Sequence, residues 1–157
     1  MSDISPIRAL GHLGRLVWLE NLFQQVMLPP AVSRELSHPP AALPPIEVRN
    51  FAFLTVQAPA QLQRVSTLRT FLDVGEAEAI ALAEEVQANV VLIDELAGRS
   101  FARQCGFVVQ GTLGILLQAK QVGLCTEVRP QLDRLQQEIN FFVSPQLRTA
   151  ILRQAGE

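Results

Sequence analysis

An Ala-rich segment, Gly75-Glu76-Ala77-Glu78-Ala79-Ile80-Ala81-Leu82-Ala83, carries no interior breaker and leads into the wholly apolar run Val90-Val91-Leu92-Ile93, closed by Asp94-Glu95. A helix followed by a parallel strand behind it runs antiparallel to that strand. The first turn of the helix then lies over the sheet edge where the strand ends. In open α/β sheets that edge is where ligands bind. Acids 16 to 18 residues apart in the chain, Glu76 and Glu78 against Asp94, are thereby brought together. A carboxylate cluster with little basic compensation suits a hard divalent cation. The plainer alternative for Glu76 and Glu78 is a helix whose acidic first turn answers the macrodipole. Asp94 has one too, since turns also favour Asp.

The same alternation extends along the chain. Helices are expected over residues 5–12, 15–24, 60–72, 75–87, 97–105, 112–122, 129–138 and 145–154, with another from Pro30 through Glu35. Strands are expected over 26–28, 54–56, 90–93 and 107–109, with a last short one at Phe141-Phe142-Val143. Pro39, Pro40, Pro44 and Pro45 mark a stiff loop. Strands alternating with helices argue a parallel sheet covered on both faces. With 157 residues, 48% of them hydrophobic and 18% charged, the chain suits one well-buried domain, residues 1–157. No apolar run reaches the roughly 20 residues of a membrane helix. The first residues, Met1-Ser2-Asp3-Ile4-Ser5-Pro6, lack the regions of a signal peptide, so a cytoplasmic location is expected.

Cys105 and Cys125 form no CxxC and have no His at ligand spacing, which points to reduced thiols. The net charge of −2 excludes a molecule that binds nucleic acid by overall charge alone. The distribution is uneven: residues 1–95 hold 11 acids and 6 bases, residues 96–157 hold 4 acids and 7 bases. All bases but Lys120 are Arg, the better bidentate phosphate ligand.

Five short motifs follow one another in register: Ser2-Asp3-Ile4-Ser5-Pro6-Ile7, Val32-Ser33-Arg34-Glu35-Leu36, the Gly75–Ile80 segment, Leu92-Ile93-Asp94-Glu95 with Gly98-Arg99, and Gly111-Thr112-Leu113-Gly114 with Ala119-Lys120. The series resembles the PIN-domain proteins, in particular the DUF3368 branch of predicted nucleic-acid-binding proteins, over nearly the whole chain. The resemblance implies a three-layer α/β/α sandwich with a parallel sheet and an acidic pocket at its C-terminal edge. It implies a Mg²⁺- or Mn²⁺-dependent ribonuclease, often the toxin of a toxin–antitoxin pair. RNA, an antitoxin protein and a second copy of the chain are the partners to expect. Carried over by position, Asp3, Glu35, Glu76 and Asp94 are the candidate catalytic acids, with Glu78 a close rival of Glu76. Asp3, Glu76, Glu78 and Asp94 are the candidate metal ligands. Ser5, Arg99, Arg103 and Thr112 are candidates for contact with substrate. For Ser5 and Thr112 helix capping is the competing role; for the arginines it is a solvated helix face.

One departure bears on the site. Met1 stands directly before Ser2-Asp3, where the family has an apolar strand in mid-sheet. The expectation is that this first strand is missing, which leaves neighbouring strands without ladder partners and Asp3 without a rigid mount. A start set too late, a decayed and inactive nuclease, or another segment or a second chain filling the gap would each account for it. The rival functions are therefore a catalytically dead PIN-like module that binds RNA or protein, and a phosphate-binding α/β protein. The latter lacks both GxGxxG and GxxxxGK[ST].

Overall fold

Pairing along the sheet is set by four three-residue strands among the described residues, which in this computed structural model are 1–39 and 43–157. Pro40 of the expected stiff loop lies outside them. Strand β1 (Val26–Leu28) pairs in parallel with β2 (Leu54–Val56), and β3 (Val90–Leu92) with β4 (Val108–Gln110). Among the described residues, Met1-Ser2 lies between these two pairs. Ser2 makes a parallel bridge to Leu92. The Ser2 N–H donates to Met27 O at 3.0 Å, the Asp3 N–H to Leu92 O at 2.9 Å, and the Leu92 N–H to Met1 O at 2.8 Å. The Met1 ammonium donates to Val90 O at 3.1 Å. Two residues thus stand where a central strand would run, and they join two half-sheets.

Side-chain alternation along the strands builds the layers. Val26, Leu28 and Leu92 enter one core cluster with Ile7, Leu10, Val32 and Ile115; Met27, Val91 and Ile93 point the other way, into a cluster with Leu68, Ile80 and Leu82. Both faces are covered, as a parallel sheet requires. The first face carries α1 (Ile4–His12), α2 (Val17–Phe23), α3 (Pro30–Ser37) and α7 (Thr112–Gln121). The second carries α4 (Leu62–Leu68), α5 (Val74–Val86) and α6 (Leu96–Gln104). Helices α8 (Arg129–Ile139) and α9 (Pro145–Ala155) close the chain around a satellite cluster of Leu132, Val143 and Leu152. The expected α/β/α architecture is what forms. Among the described residues no helix is long and apolar enough to cross a membrane.

Local chemistry sets several boundaries. Pro29 follows the last residue of β1, and Pro30 opens α3 as an N1 proline. Ser144 caps α9 through Leu147 N–H at 3.2 Å, with Pro145 at N1. Ala77, Ala79, Ile80, Ala81, Leu82 and Ala83 are all buried, so α5 is apolar nearly all round and lies inside the fold. Two expectations need correction. Phe141–Val143 is not a strand: among the described residues the Phe141 N–H goes to Leu135 O and Val143 O accepts from Gln136 rather than from a ladder partner. The helix expected over 60–72 covers only Leu62–Leu68; the chain tightens at its end, where Leu68 O accepts from both Phe71 and Leu72 N–H. Cys105 and Cys125 are free thiols, each half-buried.

Candidate active site

The ends of β1 and β3, with the helices that follow them, bring the acids to one sheet edge. Asp94, just past β3, and Glu35, near the end of α3, line one cavity of about 620 Å³ together with Ser5, Arg8, Glu95 and Arg99. Glu35 is exposed and also borders an open depression shared with Asp73 and Gly75. Asp3 and Glu76 are buried, at 2% and 4% exposure.

Asp3 sits at the N-cap of α1 immediately after the two-residue bridge. The first turn of α5 presses on it: a Cβ at Gly75 would come within 3.2 Å of Asp3 Oδ1. Asp3 Oδ1 and Glu76 Oε1 have no hydrogen-bond partner among the described residues. Burial lifts the Asp3 carboxyl from 3.8 to about 7, opposed by the N–H groups of Ile4 and Ser5 and reinforced by the charges of Asp73 and Glu76. Burial likewise raises Glu76, with Asp73 and Glu95 adding to the effect. Gly98 on α6 is the wall behind Glu76. A Cβ there would collide with the Glu76 carboxylate and with Ile93 Cδ1.

Asp94 is held differently. Its Oδ1 accepts from the Thr112 N–H at 2.8 Å and its Oδ2 from Thr112 Oγ1 at 2.6 Å. Burial pushes its pKa up, while the two Thr112 bonds and the Arg99 charge pull it back. A Cβ at Gly111 would lie 2.6 Å from Asp94 Oδ1 and 3.3 Å from an Arg99 terminal nitrogen, so the backbone at the start of α7 presses on both side chains. Arg99 Nε is buried and unpartnered among the described residues.

The remaining candidates separate clearly. Glu78 Oε2 accepts the Ala31 N–H at 3.0 Å, so this side chain is engaged in capping α3. Thr112 is fully buried and holds a carboxylate. Ser5 reaches the cavity wall. Arg103 is exposed in the last turn of α6 and is not among the cavity-lining residues. The acids were expected close enough to share an ion. Among the described residues no group of three or more His, Cys, Asp or Glu side chains is arranged to hold one. The reason is local: Thr112 draws Asp94 to the start of α7, and the α3 N-terminus draws off Glu78. What fits a cation is the pair Asp3 and Glu76, hard oxygen donors each with a buried orphan oxygen. One or two carboxylates plus waters is the usual Mg²⁺ complement.

Sequence reasoning missed Asp73. Its side chain accepts the Glu76 N–H at 2.8 Å as the N-cap of α5. The signal was legible: Asp73-Val74-Gly75-Glu76 is an acid followed three residues later by Glu, the spacing of a capping box. Arg8 was also missed. It donates to Pro44 O at 3.0 Å and Glu35 O at 3.1 Å, and so ties α1 to the end of α3.

The family model DUF3368, described as a PIN domain, matches residues 1–157. No curated protein and no solved structure matches the chain.

Proposed function

The chain belongs to the DUF3368 family of PIN domains, and from that premise we propose that residues 1–157 act as a single-domain, divalent-metal-dependent endoribonuclease. One observation carries the reading. Two buried carboxylates with unsatisfied oxygens, Asp3 and Glu76, lie at the same sheet edge as a cavity that holds Asp94, Glu35 and Arg99. Burying charge without a partner is costly, and such clusters mark functional sites more often than structural ones.

Asp3 and Glu76 would hold the ion, Mg²⁺ or Mn²⁺. When bound it would supply a water of lowered pKa and neutralise charge growing on a phosphate. The chain's own groups do the rest. Thr112 locks the Asp94 carboxylate in one orientation at the cavity wall. Arg99 brings a guanidinium to the same cavity, placed for a phosphate oxygen. Glu35 is an exposed carboxylate lining the same cavity that can receive a proton from attacking water. Work as a toxin restrained by an antitoxin protein is the setting we infer from the resemblance.

The experiment is cleavage of a broad panel of single-stranded RNAs by the purified chain with Mn²⁺ or Mg²⁺, alongside melting curves. Cleavage abolished by Asp94→Asn, with a smaller metal-induced rise in Tm in a Glu76→Gln variant, supports the reading. A folded, metal-loaded protein that cuts none of the panel refutes it. The second reading is an inactive PIN module that binds RNA or protein. The absence of a three-ligand group among the described residues favours it.

A further inference from the structure

The cavity's apolar wall is the segment joining α8 to α9. Asn140 takes a left-handed conformation (φ 54°) and ends α8. Phe141 then packs against the core, and its N–H donates to Leu135 O at 3.0 Å. Val143 is buried at 5% exposure with Leu132 and Leu152. With a neighbour turned inward on either side, Phe142 is turned out, 89% exposed, on the rim of the cavity that holds Asp94 and Arg99. Single exposed apolar side chains are ordinary. This one differs because its backbone is anchored on both sides and it shares a cavity with a guanidinium whose buried Nε lacks a partner among the described residues.

A bare aromatic ring on the rim of a cavity that also holds a guanidinium suits an unpaired nucleotide: the base stacks on the ring and the phosphate meets the cation. We propose that Phe142 is a base-stacking platform that positions an unpaired base next to the phosphate met by Arg99. The proposal rests on the ribonuclease reading. It adds a positioning residue and a requirement on the RNA. A base in a duplex is already stacked and paired, and bringing it to Phe142 costs the energy of extracting it. The platform thus discriminates against helices without reading sequence.

The test is binding by the Asp94→Asn chain in Mn²⁺, which separates affinity from cleavage. The probes are a labelled single-stranded RNA carrying 2-aminopurine at successive positions, and a hairpin with the same sequence in its stem. Phe142→Ala should weaken single-strand binding about tenfold, ~1.4 kcal/mol, and Phe142→Trp should retain it. One 2-aminopurine position should be quenched by Phe142 and not by the alanine variant, a signature that a structural role would not produce. Hairpin binding should be weak in all of them. Equal single-strand affinity and equal quenching with and without the ring would overturn the platform while leaving the ribonuclease reading intact. If the Asp94→Asn chain binds no RNA, the platform falls, and a protein contact becomes the reading of Phe142. The ribonuclease reading then stands or falls on the cleavage panel alone.

Discussion

Replacing Asp3 by Asn should make the metal-free protein more stable, and increasingly so as the pH rises. The Asp3 carboxyl titrates at about 7 in the folded chain against 3.8 for the ordinary group. The native state therefore keeps a proton on Asp3 over a range in which the unfolded chain has released it. A raised folded pKa gives stability that is complete below the unfolded value and is lost as pH rises through the folded one. The window here runs from about pH 4 to pH 7. At about 1.36 kcal/mol per unit, a shift of about three units amounts to roughly 4 kcal/mol at its full extent. Asn keeps a good N-cap side chain and cannot ionise. The two proteins should be close in stability near pH 4, and the variant should lead by up to roughly 4 kcal/mol near pH 8. Equilibrium urea unfolding in EDTA, repeated at intervals across that range, gives the difference curve. A flat curve would refute the argument, because it would mean that Asp3 ionises in the native state as readily as in the unfolded one. Mn²⁺ should reverse the order at high pH, since a cation binds the ionised carboxylate and favours the state that holds it.

Three further outcomes follow from the same geometry. Gly98→Ala should lose about 1 kcal/mol by urea unfolding although the change favours a helix, because overpacking against Glu76 and Ile93 outweighs the propensity gain; in a Glu76→Ala background the penalty should shrink. Thr112→Val should cost ~1–2 kcal/mol and raise the Asp94 pKa further, moving the acid limb of the activity profile to higher pH. Glu78→Ala should cost about 1 kcal/mol through the lost cap on α3 and leave the Mn²⁺-induced rise in Tm unchanged, whereas Glu76→Gln should abolish most of that rise.

The architecture was legible where the chain carries strong punctuation. Pro30, Gly111 and Ser144-Pro145 start helices at the expected residues, and the apolar run before Asp94 is a strand. Phe141–Val143 was misjudged because β-type composition says nothing about whether a partner strand is present. Glu76 and Glu78 could not be told apart for a geometric reason. Two residues are about 200° of helical rotation, so one acid faces Asp3 and the other faces α3, and which does which depends on how α5 is rolled against its neighbours. The reach of Thr112 back to Asp94 is a tertiary contact across 18 residues, invisible to local pattern. Phe142 was read as the middle of an expected strand, Phe141–Val143; the inward packing of its two neighbours leaves it pointing outward.

The two-residue bridge between the half-sheets divides the acids into two mechanical groups. Met1 through Asp3 make three backbone contacts to β3, through Val90 and Leu92, but a single one to β1, through Met27. Asp3 therefore travels with β3 and with Asp94 at its end. Glu35 belongs to the other leaf, carried on α3 directly behind β1. Arg8 spans the two groups, since it stands on the helix that Asp3 begins and donates to Glu35 O at 3.1 Å. The separation of Asp3 from Glu35 is thus braced by a guanidinium that belongs to neither acid's own strand.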